Sequence, residues 1–201
     1  MGDNMMKYDV MNELMEEHNG YLFTKDVEAA GISRPYLASF VKDRKLEKVA
    51  KGIYISPDTW EDELYILQLR YPKIVYSGET ALYLHGLIDR EYSEVMVCVP
   101  PKYNRTRLCA EGVLVHQENE TNYMMGVVEL QTNFGNVVRA YDLEKCVCET
   151  VKARGKIDVQ HFQTAMKTYM RSKERNLDRL MKYAELLRVY DEIMKYVEVM
   201  V

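Results

Sequence analysis

What the sequence lacks narrows its function first. No apolar run approaches the roughly 20 residues needed to span a bilayer, and the N-terminal MGDNMMKYDV is acidic without a long apolar stretch. Neither a membrane span nor a secretory signal is therefore expected, and the expected location is cytoplasmic. Cysteine is sparse: Cys98, Cys109, Cys146 and Cys148 form no C-x-x-C pair, which argues against a disulfide framework and fits reduced thiols in a cytosol. On a helix, Cys146 and Cys148 face different sides and fall short of the four ligands of structural zinc, so no metal is expected. Positive charge is not in excess either, with 27 basic and 31 acidic residues giving a net charge of −4. That balance excludes a histone-like or tail-type binder, and any nucleic-acid site must be a local patch. P-loop, nucleophile-elbow and metal-hydrolase signatures are missing, and His18, His85, His116 and His161 are scattered. No catalytic residue and no cofactor are assigned, and the chain reads as a non-enzyme without internal repeats or low-complexity tracts.

What is present centres on Thr24 to Ser56. Thr24 is placed to cap a short helix with Val27 and Ala30 inward, and Gly31 supplies the positive φ that ends it. Ser33 offers a second N-cap with Pro35 in the first turn, where the missing N–H breaks no intrahelical bond. Leu37, Phe40 and Val41 recur at i, i+3 and i+4, which buries one side of this second helix and turns Arg34, Tyr36, Ser39 and Lys42 outward. Leu46 to Ala50, Lys51-Gly52 and Ile53 to Ile55 read as strand, turn and strand. Together these are a winged helix-turn-helix, whose second helix reads a major groove. Between Arg34 and Lys51 stand six basic and two acidic residues, a net of +4. In Met1 to Gly31 the balance reverses to two basic and seven acidic. The charge is thus focused where phosphate contacts are wanted, and the candidate DNA-binding residues are Arg34, Tyr36, Ser39, Lys42, Arg44, Lys48 and Lys51. A winged helix used only for protein contacts is the alternative.

A family resemblance follows from these residues. The run AAGISRPYLASFVKDRKLEKVAKGIYISP resembles the N-terminal domain of AbiEi-type antitoxins, with its GI-S-R turn, second helix and L-x-R/K-V-x-x-G-x-Y wing. Ser77 to Gly86, SGETALYLHG, resembles the family's S-x-x-S/T-A-L-x-x-H-G segment, and Arg139 to Glu149 its R-x-x-D-L-E-R-T-x-x-D segment. Lys156-Ile-Asp158 through Tyr169, and Leu180 to Ala184, also fit. Lys145, Cys146 and Glu149 depart from the usual Arg, Thr and Asp. The resemblance implies a repressor that is also the antitoxin of a type IV toxin–antitoxin, or abortive-infection, module. It implies binding to inverted repeats of double-stranded DNA in the operon's own promoter. The implied partner is a nucleotidyltransferase-like toxin, countered without a stable complex.

Beyond the wing, Glu61 to Arg70 reads as a helix connecting two domains, placed at 1–58 and 59–201. The second domain mixes strand candidates (Ile74 to Tyr76, Val95 to Val99, Gly112 to His116, Val127 to Thr132, Asn136 to Tyr141) with a helix after Ser77. From Asp142 the pattern turns helical, one helix running to Gly155. The expected fold class is α+β: an N-terminal winged helix-turn-helix, then a mixed α/β domain with a C-terminal helical bundle. Lys152 to Lys182 carries nine basic and three acidic residues, a net of +6. This is either a solvated helical surface or a working one, whose candidates are Lys167, Arg171, Lys173, Arg175 and Arg179. His85 reads as a packed structural histidine. Two rival readings stay open: a stand-alone winged-helix regulator with a ligand-sensing second domain, and a protein-binding inhibitor that contacts its toxin directly. Self-association on DNA is a further expectation.

Overall fold

The computed structural model describes residues 2–88, 94–155 and 159–200. The chain divides into two compact units, Met1–Pro72 with Gln131–Val137, and Lys73–Leu130 with Val138–Val201. The architecture is α+β.

The first unit runs α1 (Gly2–Glu17), β1 (Tyr21–Phe23), α2 (Thr24–Ala29), α3 (Arg34–Asp43), β2 (Glu47–Ala50), β3 (Ile53–Ile55) and α4 (Glu63–Arg70). Its three strands lie in the order β1-β3-β2, with both neighbouring pairs antiparallel. The core sits between the helices: Met11, Leu22, Val27, Ile32, Leu37, Phe40 and Leu46 are buried together. A second cluster of Tyr21, Phe23 and Ile55 is covered by Tyr65, Ile66 and Leu69 of α4. Helix α1 stops where Asn19 (φ 52°) and Gly20 (φ 88°) turn the chain. A Cβ on Gly20 would lie 1.9 Å from Thr59 Oγ1, so only glycine fits there.

Helix α2 begins at Thr24 itself, directly after the extended Phe23, so Thr24 is not its N-cap. The Thr24 N–H donates to Gly52 O at 2.8 Å, which ties this point to the wing turn. Ala30 is the C-cap and lies exposed rather than inward, because the helix has ended one residue before it. Gly31 has the expected positive φ, 76°.

The units divide after Pro72, not near 58, because α4 packs on the first unit's strands. Asp62 locks this arrangement. Its buried carboxylate accepts from Tyr65 N (3.1 Å), capping α4, and from Thr132 Oγ1 (2.5 Å) and Asn136 Nδ2 (2.9 Å) in the segment 131–137. Asp62 N donates to the Tyr21 hydroxyl at 3.2 Å, and Asn19 Nδ2 to Asn136 Oδ1 at 3.1 Å.

The second unit holds β4 (Val75–Tyr76), α5 (Gly78–Leu84), β5 (Met96–Val99), α6 (Thr106–Ala110), β6 (Leu114–Gln117), α7 (Glu120–Met124), β7 (Val127–Gln131), β8 (Val137–Tyr141), α8 (Leu143–Lys152), α9 (Val159–Arg171), α10 (Leu177–Leu187) and α11 (Tyr190–Met200). The sheet order is β6-β5-β4-β8-β7, with β4 antiparallel to β5 and parallel to β8, and β5 parallel to β6. Helix α8 is apolar and polar in the same buried place. Asp142 caps it by accepting from Lys145 N at 2.9 Å. It ends at Lys152, short of Gly155, with Ala153 as C-cap. Glu144, buried to 2 % exposure, accepts from Tyr169 Oη (3.2 Å) and Asn176 N (2.9 Å). Lys145 is 1 % exposed; its ammonium donates to Asn122 O, lies 3.3 Å above the Tyr141 ring and 3.9 Å from Glu149 Oε1.

Burial raises the Glu149 carboxyl from its ordinary 4.5 to about 7, with Lys145 opposing the shift, while burial pulls the Lys145 ammonium down. A carboxyl whose folded pKa lies above its unfolded value favours the folded state below the unfolded value. That advantage is lost as pH rises from about 4.5 through 7. The stability difference between wild type and Glu149→Gln should therefore move against wild type by roughly 1–3 kcal/mol between pH 5 and 7. Urea unfolding followed by circular dichroism at stepped pH measures this. A difference independent of pH refutes it.

Candidate nucleic-acid interface

Helix α3 is the element that a groove would meet. Its N-cap is Ser33 (φ −78°, ψ 155°) with Pro35 in the first turn, although the Ser33 hydroxyl makes no cap bond. Leu37 and Phe40 anchor the inner side. Arg34, Ala38 and Lys42 then follow one outward row at i, i+4 and i+8, with Ser39 beside them, all exposed. The helix is braced from α1: the Tyr8 ring meets Phe40 edge-on at 5.0 Å, and the Tyr8 hydroxyl donates to Asp43 Oδ2 at 2.7 Å.

Two of the sequence candidates sit apart from that row. Tyr36 is half-buried, packed against the core with the Lys7 ammonium 4.2 Å from its ring centroid. Arg44 is the C-cap of α3, 5.9 Å from the Phe40 ring. It lines an open hollow of about 440 Å³ with Asn12, Met15, Glu16, Gly20, Ser56 and Thr59.

The wing is compact. Lys48 pairs with Tyr54, Ala50 pairs with Ile53, and Val49 is the bulge between them. Lys51 and Gly52 form the turn, and Gly52 O accepts from Thr24 N. Lys48 and Lys51 are both exposed. The wing turn is therefore tied to the start of α2, and its two ammoniums stand on a tethered hairpin, suited to phosphate.

Glu28, which local spacing does not mark, also belongs to this face. Arg34 Nε donates to Glu28 Oε1 at 2.6 Å, with the two side chains 77 % and 42 % exposed. The signal available was an acidic residue in the last turn of α2, six positions before an arginine opening α3, across a tight glycine turn.

The second basic region divides. Lys167, Arg171 and Lys173 are exposed. Arg175 Nη1 donates to Met170 O, and Arg179 Nη1 lies 3.5 Å from Glu144 Oε2 and 3.6 Å from Asp142 Oδ2. Arg175 thus closes back on the last turn of α9, and Arg179 ties α10 to the start of α8. Lys156 and Asp158 lie outside the described residues, as does the side chain of His161. His85 Nε2 is 2.7 Å from Tyr141 O, and burial lowers its pKa, so the ring is held neutral. Burial pushes the Cys148 thiol up to about 12 and Cys146 well above its usual range, which disfavours the thiolates a metal would need. Among the described residues no helix is long and apolar enough to cross a membrane.

Residues 8–90 match the family model described as transcriptional regulator, AbiEi antitoxin N-terminal domain. Over this stretch the chain is similar to the N-terminal domain of AbiEi antitoxins. The AbiEi match takes in the whole helix-turn-helix and wing and runs on through β4 and α5. The crystal structure of the RV2827C protein from Mycobacterium tuberculosis is similar with a TM-score of 0.55 at 13% identity, over 88% of this chain and 70% of that one, a likeness of fold. Comparison with curated proteins gives no match.

The face built by α3 and the wing makes a divided prediction. Arg34→Ala should cost about 1–3 kcal/mol on a duplex selected by the protein and less on a scrambled one. Lys51→Ala should weaken both alike and lower the salt slope by about one unit. Fluorescence anisotropy titrations across a salt series measure both, and an equal loss on both duplexes for Arg34→Ala refutes base reading.

Proposed function

We propose that this protein is a DNA-binding transcriptional repressor and the antitoxin of a type IV toxin–antitoxin, or abortive-infection, module. In this reading it autoregulates its operon through an inverted-repeat operator and neutralises a nucleotidyltransferase-like toxin, without enzymatic activity of its own and in the cytoplasm. The observation that carries it is the exposed row Arg34, Ala38 and Lys42, with Ser39, beside the tethered wing lysines Lys48 and Lys51, inside the stretch that matches the AbiEi regulator domain. One winged helix offers a modest interface, so paired half-sites and self-association on DNA supply the remaining affinity through spacing.

Antitoxicity is assigned to the second unit, on its exposed cations Lys167, Arg171 and Lys173. Arg175 and Arg179 are poor probes of that assignment, because each holds a backbone or carboxylate oxygen.

The experiment follows from that distinction. Reversing Lys167, Arg171 and Lys173 to Glu changes local charge by six without touching the buried stripe Phe162, Ala165, Met166 and Tyr169. Each change should move stability by under about 0.5 kcal/mol. Cells co-expressing the neighbouring toxin gene with this variant should lose protection while binding to the operon's own promoter persists in vitro. Full protection overturns the surface assignment, and an absence of promoter binding by the wild type overturns the repressor reading.

A further inference from the structure

We propose that Glu28 is a positioning residue that sets the base specificity of α3, by holding the Arg34 guanidinium so that its far end presents two donors to a guanine. The proposal rests on the DNA-binding reading above. A guanidinium carries five N–H donors in one rigid plane. The bond from Nε to Glu28 Oε1 at 2.6 Å occupies one of them and fixes the plane. The Nη1 and Nη2 end is the two-donor edge that matches guanine O6 and N7 in a major groove.

Both partners stand on anchored backbone. Glu28 follows the fully buried Val27, and Arg34 opens the helix whose Leu37 and Phe40 are buried. Between them the turn is closed by Gly31 N to Glu28 O (3.0 Å) and Ile32 N to Val27 O (3.1 Å). The separation of the two side chains is therefore a property of the helix-turn-helix and not of loop wandering.

The pair is too exposed to contribute much stability, so its consequence lies in orientation. An arginine held by one edge loses less rotamer freedom when it meets a base than one that is unheld. The carboxylate also acts by exclusion. It repels the phosphate backbone and partly neutralises Arg34 toward it, while leaving the hydrogen-bond pattern of the Nη edge intact. Glu28 thus steers Arg34 away from a general phosphate contact and toward a base, leaving phosphate to Lys48 and Lys51.

The test uses the full-length chain and a duplex library randomised over about two helical turns, some 20 bp. Wild type, Arg34→Ala, Glu28→Ala and Glu28→Gln are each selected on it and scored base by base. Circular dichroism confirms that each variant is folded. The expected result is a guanine preference on the order of tenfold or more at one position in wild type, absent in both Arg34→Ala and Glu28→Ala. Glu28→Gln, which keeps an acceptor for Nε, should retain much of that preference. If Arg34→Ala abolishes the preference and Glu28→Ala keeps it, the positioning role is overturned while base reading stands. If Glu28→Ala only tightens binding to every duplex alike, Glu28 merely repels phosphate and the proposal also falls. No positional preference lost in Arg34→Ala overturns the base-reading assignment itself.

Discussion

The burial of Phe40 is the constraint on which the exposed face of α3 depends. Phe40 is fully buried, with Leu37 one turn before it, and Tyr8 meets its ring edge-on. In a helix of 3.6 residues per turn, anchoring those two positions leaves one direction for residues 34, 38 and 42. A smaller residue at 40 would cost stability, since removing most of a buried aromatic costs about 3–5 kcal/mol. It would also release the azimuth of α3, which is the quantity a groove reader has to hold. The bond from Tyr8 to Asp43 and the lysine over Tyr36 act on the same helix from α1, at its far end and its first turn. The N-terminal helix therefore serves as the brace of α3 as well as its cover.

In the second unit the corresponding role belongs to the first turn of α8. Asp142, Glu144 and Lys145 are consecutive but for Leu143, and all three are buried. Charges in such a place are tolerated only when their bonds are made. Asp142 takes the Lys145 N–H and the Tyr183 hydroxyl; Glu144 takes Tyr169, Asn176 and the edge of Arg179. The acidic groups thus collect ties from α9 and α10, as the sequence segment DLEK alone does not reveal. The buried Lys145 is accommodated because its one ammonium meets a carbonyl, a ring face and Glu149 at once.

Much of the fold was legible because its elements are long enough to show a period. The Leu37 and Phe40 spacing, the positive φ at Gly31, the lysine-glycine turn of the wing and the cap at Asp142 all follow from adjacent residues. The losses have physical causes. Helices α6 and α7 have five residues each, less than two turns, so no period can appear in them. Thr24 suits a cap by its side chain, but the helix starts on Thr24 itself and the extended Phe23 takes the N-cap place, which depends on how β1 enters the helix and not on Thr24 alone. Tyr36 lies at the border of the helix's inner side, and whether it is covered depends on α1, which local spacing does not report. The ties from Asp62 to Thr132 and Asn136 span 70 and 74 positions, beyond the reach of any local pattern. Those ties are why segment 131–137 counts with the first unit.

The charged residues sort by whether an internal acceptor has claimed them, and that division says more than net charge. A run with a net of +6 in sequence loses Arg175 to a carbonyl and Arg179 to two carboxylates. Of the five candidates in that run, Lys167, Arg171 and Lys173, on α9 and just after it, are exposed. On the first unit the opposite holds for the lysines: Lys42, Lys48 and Lys51 are exposed on a helix and a hairpin whose positions other bonds determine. The exception is Arg34, exposed yet held by Glu28. A surface ion pair of this kind adds little to stability, so its consequence at the leading end of α3 lies in the direction it gives Arg34. In a chain whose overall charge is −4, any attraction to an anionic partner has to be local, and on the proposed reading a carboxylate inside the basic patch would make that attraction selective.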